Sequence, residues 1–333
     1  MKRETFWGLD ISKKTIDLTI LESGSIIGQY VLDNTPHKIQ MAFSEYMAHL
    51  GLSWEMCVFC MENTGTYGYQ LLNYLSANSN AVYVVNPLHL KKSMGLVRGK
   101  NDRIDAQRIA KFISLNYSEM TTYAKPENSL SILKILLVRR AQYVKISAQV
   151  SVPTKEQKGC VDKRITKQLE KLDAPVLTSI KKVIKELDAQ IRSIIQHCAK
   201  LNLLFKRICS VPGVGPVLGV NLLVITNGFT RLYDPRCLAS FAGVAPFEFT
   251  SGSSIRRKPR VSQMGDKNLK KLLHLAALSV IRYEGELKVY YQRKIKEGKA
   301  AMTALNAIRN KIIHRVCAVV RLEKNYQNPL VLS

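Results

Sequence analysis

The 333-residue chain has no run of about eighteen apolar residues, the length a membrane-spanning helix needs. Met1-Lys2-Arg3-Glu4 leads into a short strand-like segment and not into a signal-peptide core, so the expectation is a cytosolic protein with no membrane partner. A disulfide framework is equally unsupported. The seven cysteines, Cys57, Cys60, Cys160, Cys198, Cys209, Cys237 and Cys317, are odd in number and fall mostly in apolar segments, which suits a reducing compartment. Cys57-x-x-Cys60 has no second Cys or His pair near it and the six histidines show no zinc spacing, so the two thiols read as small buried hydrophobes. Carboxylates are scarce: 25 Asp plus Glu face 50 Lys plus Arg, a formal charge of +25. Such a surplus repels itself in a compact chain, and its usual answer is a polyanion, most often nucleic acid, with an anionic membrane surface the lesser alternative.

What is present is ordinary globular protein, 46% hydrophobic and 23% charged, with length for two domains. Thr5 to Ile11, Thr15 to Leu21 and Ile26 to Leu32 read as an antiparallel meander. Thr35 to Leu50 has helical spacing, with Ile39, Phe43, Met47 and Leu50 on one side. Strands at Cys57 to Met61 and Ala81 to Val85 alternate with a helix through Leu71, Leu72 and Leu75, which predicts an α/β sheet.

The rare carboxylates stand out against this pattern. Asp10 and Glu62 sit where two buried strands end, the edge at which open α/β sheets hold ligands. Asp102 and Asp105 lie three apart at the start of the apolar helix Ala106 to Ile113 and so share a face. Taken singly, each has an ordinary reading as a solvated strand end or as an acid in a helix's first turn. Taken together they are four hard oxygen donors in a basic protein, suited to Mg²⁺ or Mn²⁺ and to phosphoryl-transfer chemistry.

Gly-Leu-Asp10-Ile-Ser, Glu62-Asn-Thr-Gly-Thr-Tyr and Lys-Asn-Asp102-Arg-Ile-Asp105-Ala resemble the motifs of the DEDD transposases of the IS110 group of insertion sequences, relatives of the Piv-type DNA invertases. Asn63 departs from the Ala expected after the glutamate. The resemblance implies a ribonuclease H-like N-terminal fold similar to the RuvC junction resolvase, with Asp10, Glu62, Asp102 and Asp105 as catalytic metal ligands.

The middle of the chain reads as helical, from Ser129 to Val150 and, after a break at Pro153 to Gly159, on to Leu201 with Pro175 marking a kink or a new start. Ile180, Ile184, Leu187, Ile191, Ile194 and Cys198 alternate at fours and threes, a coiled-coil seam that fits packing within the chain and pairing between chains equally well. Beyond it, Val211-Pro212-Gly213-Val214-Gly215 resembles a helix-hairpin-helix turn whose Gly213 and Gly215 amides would face a phosphate; a tight packing turn explains it as well. In Ser251-Gly252-Ser253-Ser254-Ile255 followed by Arg256, Arg257, Lys258 and Arg260, composition alone favours a flexible loop holding backbone phosphates. Residue chemistry does not choose among Ser251, Ser253 and Ser254. The resemblance does: it makes Ser251 the nucleophile of a C-terminal transposase domain, with Lys267, Lys270 and Lys271 on the basic side of the helix that follows.

The sequence therefore predicts three parts: a RuvC-like α/β domain at 1–125, a helical coiled-coil oligomerisation region at 126–201, and a mainly α-helical transposase domain at 202–333. The expected activity is cleavage and rejoining of donor and target DNA through a phosphoserine link with divalent-metal assistance. The resemblance adds a bridge non-coding RNA as guide and a homo-oligomer, dimer or tetramer, in the synaptic complex, at work in the cytoplasm on the nucleoid. Three readings compete: a junction-resolving endonuclease with water as nucleophile, a Piv-type invertase, and a non-catalytic nucleic-acid-binding protein.

Overall fold

A computed structural model describes residues 4–63, 65, 67–93, 101–156, 159–251 and 255–327; the side chains at 155, 248–251 and 255–259 lie outside that description. The chain divides into two compact units, Met1–Lys125 and Pro126–Ser333.

In the first unit β1 (Thr5–Ile11), β2 (Thr15–Glu22) and β3 (Ser25–Asp33) form the predicted meander. Ser23 and Gly24, both with positive φ (50° and 81°), make the two-residue turn whose twist matches a hairpin. After α1 (Pro36–Leu50) the chain re-enters the sheet as β4 (Cys57–Glu62), crosses by α2 (Tyr69–Asn78), and adds β5 (Val82–Val85); α3 (Pro87–Ser93) and α4 (Asp102–Asn116) follow. The strand order is β3-β2-β1-β4-β5, antiparallel across the first three and parallel from β1 to β5.

Alternation along the strands separates two layers. Trp7 and Leu9 of β1, Ile16, Leu18 and Ile20 of β2, and Phe59 of β4 pack under Ile39, Phe43 and Met47 of α1 and Leu71 and Leu75 of α2. On the opposite face Val58, Cys60, Tyr83 and Val85 meet Ile109, Phe112 and Ile113 of α4. Cys57 and Cys60 thus point into different layers, and both are buried.

The second unit consists of α5 (Asn128–Glu156), α6 (Lys163–His197), α7 (Ala199–Cys209), α8 (Pro216–Ile225), α9 (Pro235–Phe241), the two-stranded ribbon β6 (Pro246–Ser251) and β7 (Ile255–Val261), α10 (Lys267–Val280), α11 (Glu286–Lys296) and α12 (Ala301–Arg321). Leu130 and Leu133 of α5 and Ile191 and Ile195 of α6 belong to the same core as α7 to α12. The seam on α6 is filled in part within the chain: Ile180, Leu187 and Ile191 are buried, Ile184, Ile194 and Cys198 are half-buried, and Arg140 of α5 grips Asp188 of α6 through two hydrogen bonds of 2.6 and 3.2 Å.

Two local expectations change and a third narrows. Helix α5 runs through Pro153 to Glu156, and of the two readings of Pro175, a kink or a new start, the unbroken α6 excludes the new start. The basic stretch after Ser251 is strand β7 and not a loop. Among the described residues, no helix is long and apolar enough to cross a membrane.

Candidate acidic active site

The acidic site begins with a missing side chain. Gly8 lies on β1 two residues before Asp10, so both face α4. A Cβ at Gly8 would stand 2.1 Å from the Ala106 carbonyl oxygen and 2.2 Å from the Ala110 nitrogen, so strand and helix meet backbone to backbone. That close approach places the first turn of α4 beside the end of β1. Asn101 caps the helix by accepting a hydrogen bond from the Arg103 amide at 3.1 Å, which sets Asp102 as its first residue and puts Asp105 one turn on. Because β1 and β4 run parallel with Leu9 opposite Met61, Glu62 arrives on the same face and at the same edge.

Asp10, Glu62, Asp102 and Asp105 consequently line one cavity of about 260 Å³, together with Ile11, Ser12 and Asp17. Partial burial, followed by the negative charges of Asp102, Asp105 and Glu62, pushes the Asp10 carboxyl up to about 6. Burial and Asp102 also raise Asp17, against the opposing pull of Arg103. Asp105 is partly neutralised by Arg108, whose Nη1 donates to its Oδ1 at 2.6 Å. Among the described residues, no three His, Cys, Asp or Glu side chains are arranged to hold a metal ion. The acids are gathered at one place but do not form a coordination shell. In number and kind the donors fit a hard divalent cation, which would offset the repulsion that adds to burial in raising Asp10.

Asp17 was not among the acidic residues singled out from sequence. The signal was available: the Ser12-Lys13-Lys14 turn between β1 and β2 pairs Asp10 with Asp17 directly across the ladder. Ser12 is held at that turn, its hydroxyl accepting from the Thr15 amide at 2.9 Å.

The other sequence-derived positions lie in the second unit. Ser251 ends β6 opposite Ile255, with its side chain outside the described residues; Ser253 and Ser254 lie wholly outside them. Arg256, Arg257 and Lys258 stand on β7, likewise without described side chains, and Arg260 is exposed. Lys267, Lys270 and Lys271 occupy the start of α10, where Asp266 caps the helix by accepting from the Leu269 amide at 2.6 Å. The two turn glycines differ. Gly213, at φ +84°, packs against Val280 and the Ala276 carbonyl, whereas Gly215, the N-cap of α8, opens onto free space. Tyr290 has Lys311 4.6 Å and Arg293 5.4 Å from its ring centre, so cations already cover the ring.

Comparison with known proteins matches two segments of the chain, the first of which runs past Lys125 into α5. A transposase model of the DEDD IS110 type matches residues 7–154, and a model described as "Transposase IS116/IS110/IS902 family" matches residues 205–292. The chain is 25% identical to the pilin gene-inverting protein of Moraxella lacunata over 97% of its own length and 98% of that protein's. It is 30% identical to the 42 kDa protein of insertion element IS900 from Mycobacterium paratuberculosis, over 46% of this chain and 39% of that one. With the 43.6 kDa protein of IS110 from Streptomyces coelicolor it shares 29% identity over 44% of this chain and 35% of the other. One family's models thus match the segment that carries the clustered acids and the segment that carries the Ser251 ribbon, and the chain belongs to the IS110 family of transposases.

Proposed function

We propose that this transposase cuts and rejoins DNA strands through a covalent serine intermediate, with divalent metal held by Asp10, Glu62, Asp102 and Asp105 in a ribonuclease H-like domain. The observation that supports it most is the convergence of those four carboxylates, from β1, β4 and α4, on one cavity. Bound there, a divalent ion such as Mg²⁺ would neutralise charge on a phosphodiester. The Ser251 oxygen attacks phosphorus and loses its proton; the bond from phosphorus to the departing strand's oxygen breaks, and that oxygen gains a proton. One phosphoester replaces another, so a later strand's hydroxyl reverses the step without ATP. Arg256, Arg257, Lys258 and Arg260, with the lysines of α10, hold the backbone phosphates. Sequence choice then falls to a pairing bridge RNA, and a homo-oligomer holds the several DNA ends.

The test is incubation with junction-bearing DNA, guide RNA and Mg²⁺ followed by denaturing electrophoresis. A protein–DNA adduct that disappears in Ser251→Ala is expected. Normal strand cutting by Ser251→Ala would mean that water is the nucleophile. A second outcome, inversion of a segment within one DNA molecule, is favoured by the near full-length likeness to a pilin gene-inverting protein. Substrates carrying the two sites in inverted order on one molecule, or on two molecules, separate inversion from insertion.

A further inference from the structure

The two units carry very different charge. Residues 1–125 contain 13 Lys plus Arg and 11 Asp plus Glu, a net +2, whereas residues 126–333 contain 37 and 14, a net +23. The surplus that points to a polyanion therefore belongs almost wholly to the second unit.

On α6 that surplus is ordered. At about 100° per residue, Lys163, Arg164, Lys167 and Lys171 near its start and Lys181, Lys182, Lys185 and Arg192 further on fall within one arc of roughly 100°. The same arc holds Ala174, Thr178, Ala189 and Gln196 and no Asp or Glu. All eight cations are exposed. Among the described residues none of the seven from Lys163 to Lys185 makes an ion pair, and Arg192 donates only to the Asp188 carbonyl. The helix's own acids lie off this face, where Asp188 takes Arg140 and Asp173 accepts from Thr154 at 2.7 Å. At 1.5 Å per residue the stripe is about 44 Å long.

Like charges one turn apart weaken a helix, and an ordinary solvated face mixes both signs. A membrane-surface helix would offer an apolar face beside its cations, but Ile180, Leu187, Ile191 and Ile195 of α6 are buried by its own chain, and the exposed Ile165, Leu172 and Val176 near its start lie on the side away from the cation arc. A long, single-sign face with small residues between its cations matches a phosphodiester backbone.

We propose that this outward face of α6 is a track for the backbone of duplex DNA, bound without reading its bases. The proposal rests on nucleic acid being the material on which the transposase acts. Removing phosphate contacts lowers the slope of log K against log salt by about 0.9 per contact on duplex DNA. The full chain is titrated with random-sequence duplex DNA and, separately, with double-stranded RNA of equal length over a range of salt. Lys167→Gln, Lys171→Gln, Lys182→Gln and Lys185→Gln combined keep helix propensity and remove four charges. With the DNA the slope is expected to fall by roughly 3 to 4.

A control removes as much charge from exposed positions of the first unit, Lys38, Lys91, Lys111 and Lys125, each changed to Gln. Its slope is expected to fall by less than about 1, since it touches no track. Lys→Arg at the four α6 positions is expected to keep the wild-type slope. A fall with the RNA alone overturns the assignment of DNA to this face. Equal slopes for the α6 and control variants on DNA overturn the assignment to α6 and leave the chemistry of the acidic site standing. Failure of the wild-type chain to bind either polymer overturns the proposal together with the reading beneath it.

Discussion

Asp10→Asn should make the metal-free protein more stable while it abolishes strand cleavage. Asp10 ionises near 6 instead of 3.8 because the fold buries it among Asp102, Asp105 and Glu62. Between these values the folded state holds a proton that the unfolded chain releases, so stability falls as pH rises from about 4 through 6, and the full penalty applies above that. A shift of roughly two units corresponds to about 3 kcal/mol if fully buried. Asp10 is only partly buried, and solvent screening reduces the figure to on the order of 1 kcal/mol. For a unit of 125 residues that is a rise in Tm of about 4 °C. Both tryptophans, Trp7 and Trp54, lie in or against the core of this unit, so tryptophan fluorescence follows its unfolding separately from the rest. In EDTA at pH 7.5 the variant should melt above wild type, and the gap should close by pH 4. Added Mg²⁺ at ten times its Kd should raise the wild type by about 1.4 kcal/mol and the variant by less. A variant that melts below wild type in EDTA, or that gains as much from Mg²⁺, would refute the account of a cavity strained by its own charges.

Gly8→Ala should cost the first unit about 3 kcal/mol or more by forcing α4 off β1, and the Mg²⁺-induced rise in Tm should vanish with it. Gly213→Ala, which meets Val280 and the Ala276 carbonyl at a left-handed φ, should lower the stability of the second unit by about 2 kcal/mol in urea unfolding followed by circular dichroism; Gly215→Ala, with open space around it, should change that midpoint little. His274 Nδ1 accepts from Arg309 Nη2 at 2.7 Å, and burial followed by the Arg309 charge holds its imidazole below the usual value. Folding therefore favours the neutral ring, and stability should drop as pH falls through the ordinary histidine range. His274→Gln, which offers an uncharged acceptor, should flatten that drop in pH-dependent urea midpoints.

The first unit was legible because each cue was local. Buried runs marked β1, β4 and β5, the Ser23-Gly24 turn marked a hairpin, and Asp10, Glu62, Asp102 and Asp105 stood at element ends. Their convergence was not local. It depends on β1 and β4 being parallel neighbours and on Gly8 admitting α4, and Asp17 joins them only through the β1–β2 register. In the second unit, the ribbon was hidden because Ile255-Arg-Arg-Lys-Pro-Arg-Val shows no apolar alternation and carries Pro259, which a two-stranded ribbon tolerates and a central strand does not. Pro153 misled in the other direction, and at Pro175 the new start is excluded. Each removes one helical hydrogen bond, a loss that the packing of α5 along α6 outweighs.

The contact at Gly8 bears on how this site tolerates change. Side chains wedged between a helix and a sheet can swap rotamers and let the gap breathe, but two main chains in touch have no such play. The carboxylates on either side of that contact are therefore spaced by a rigid stop, and substitutions elsewhere in the apolar layers can accumulate without altering the opening they share.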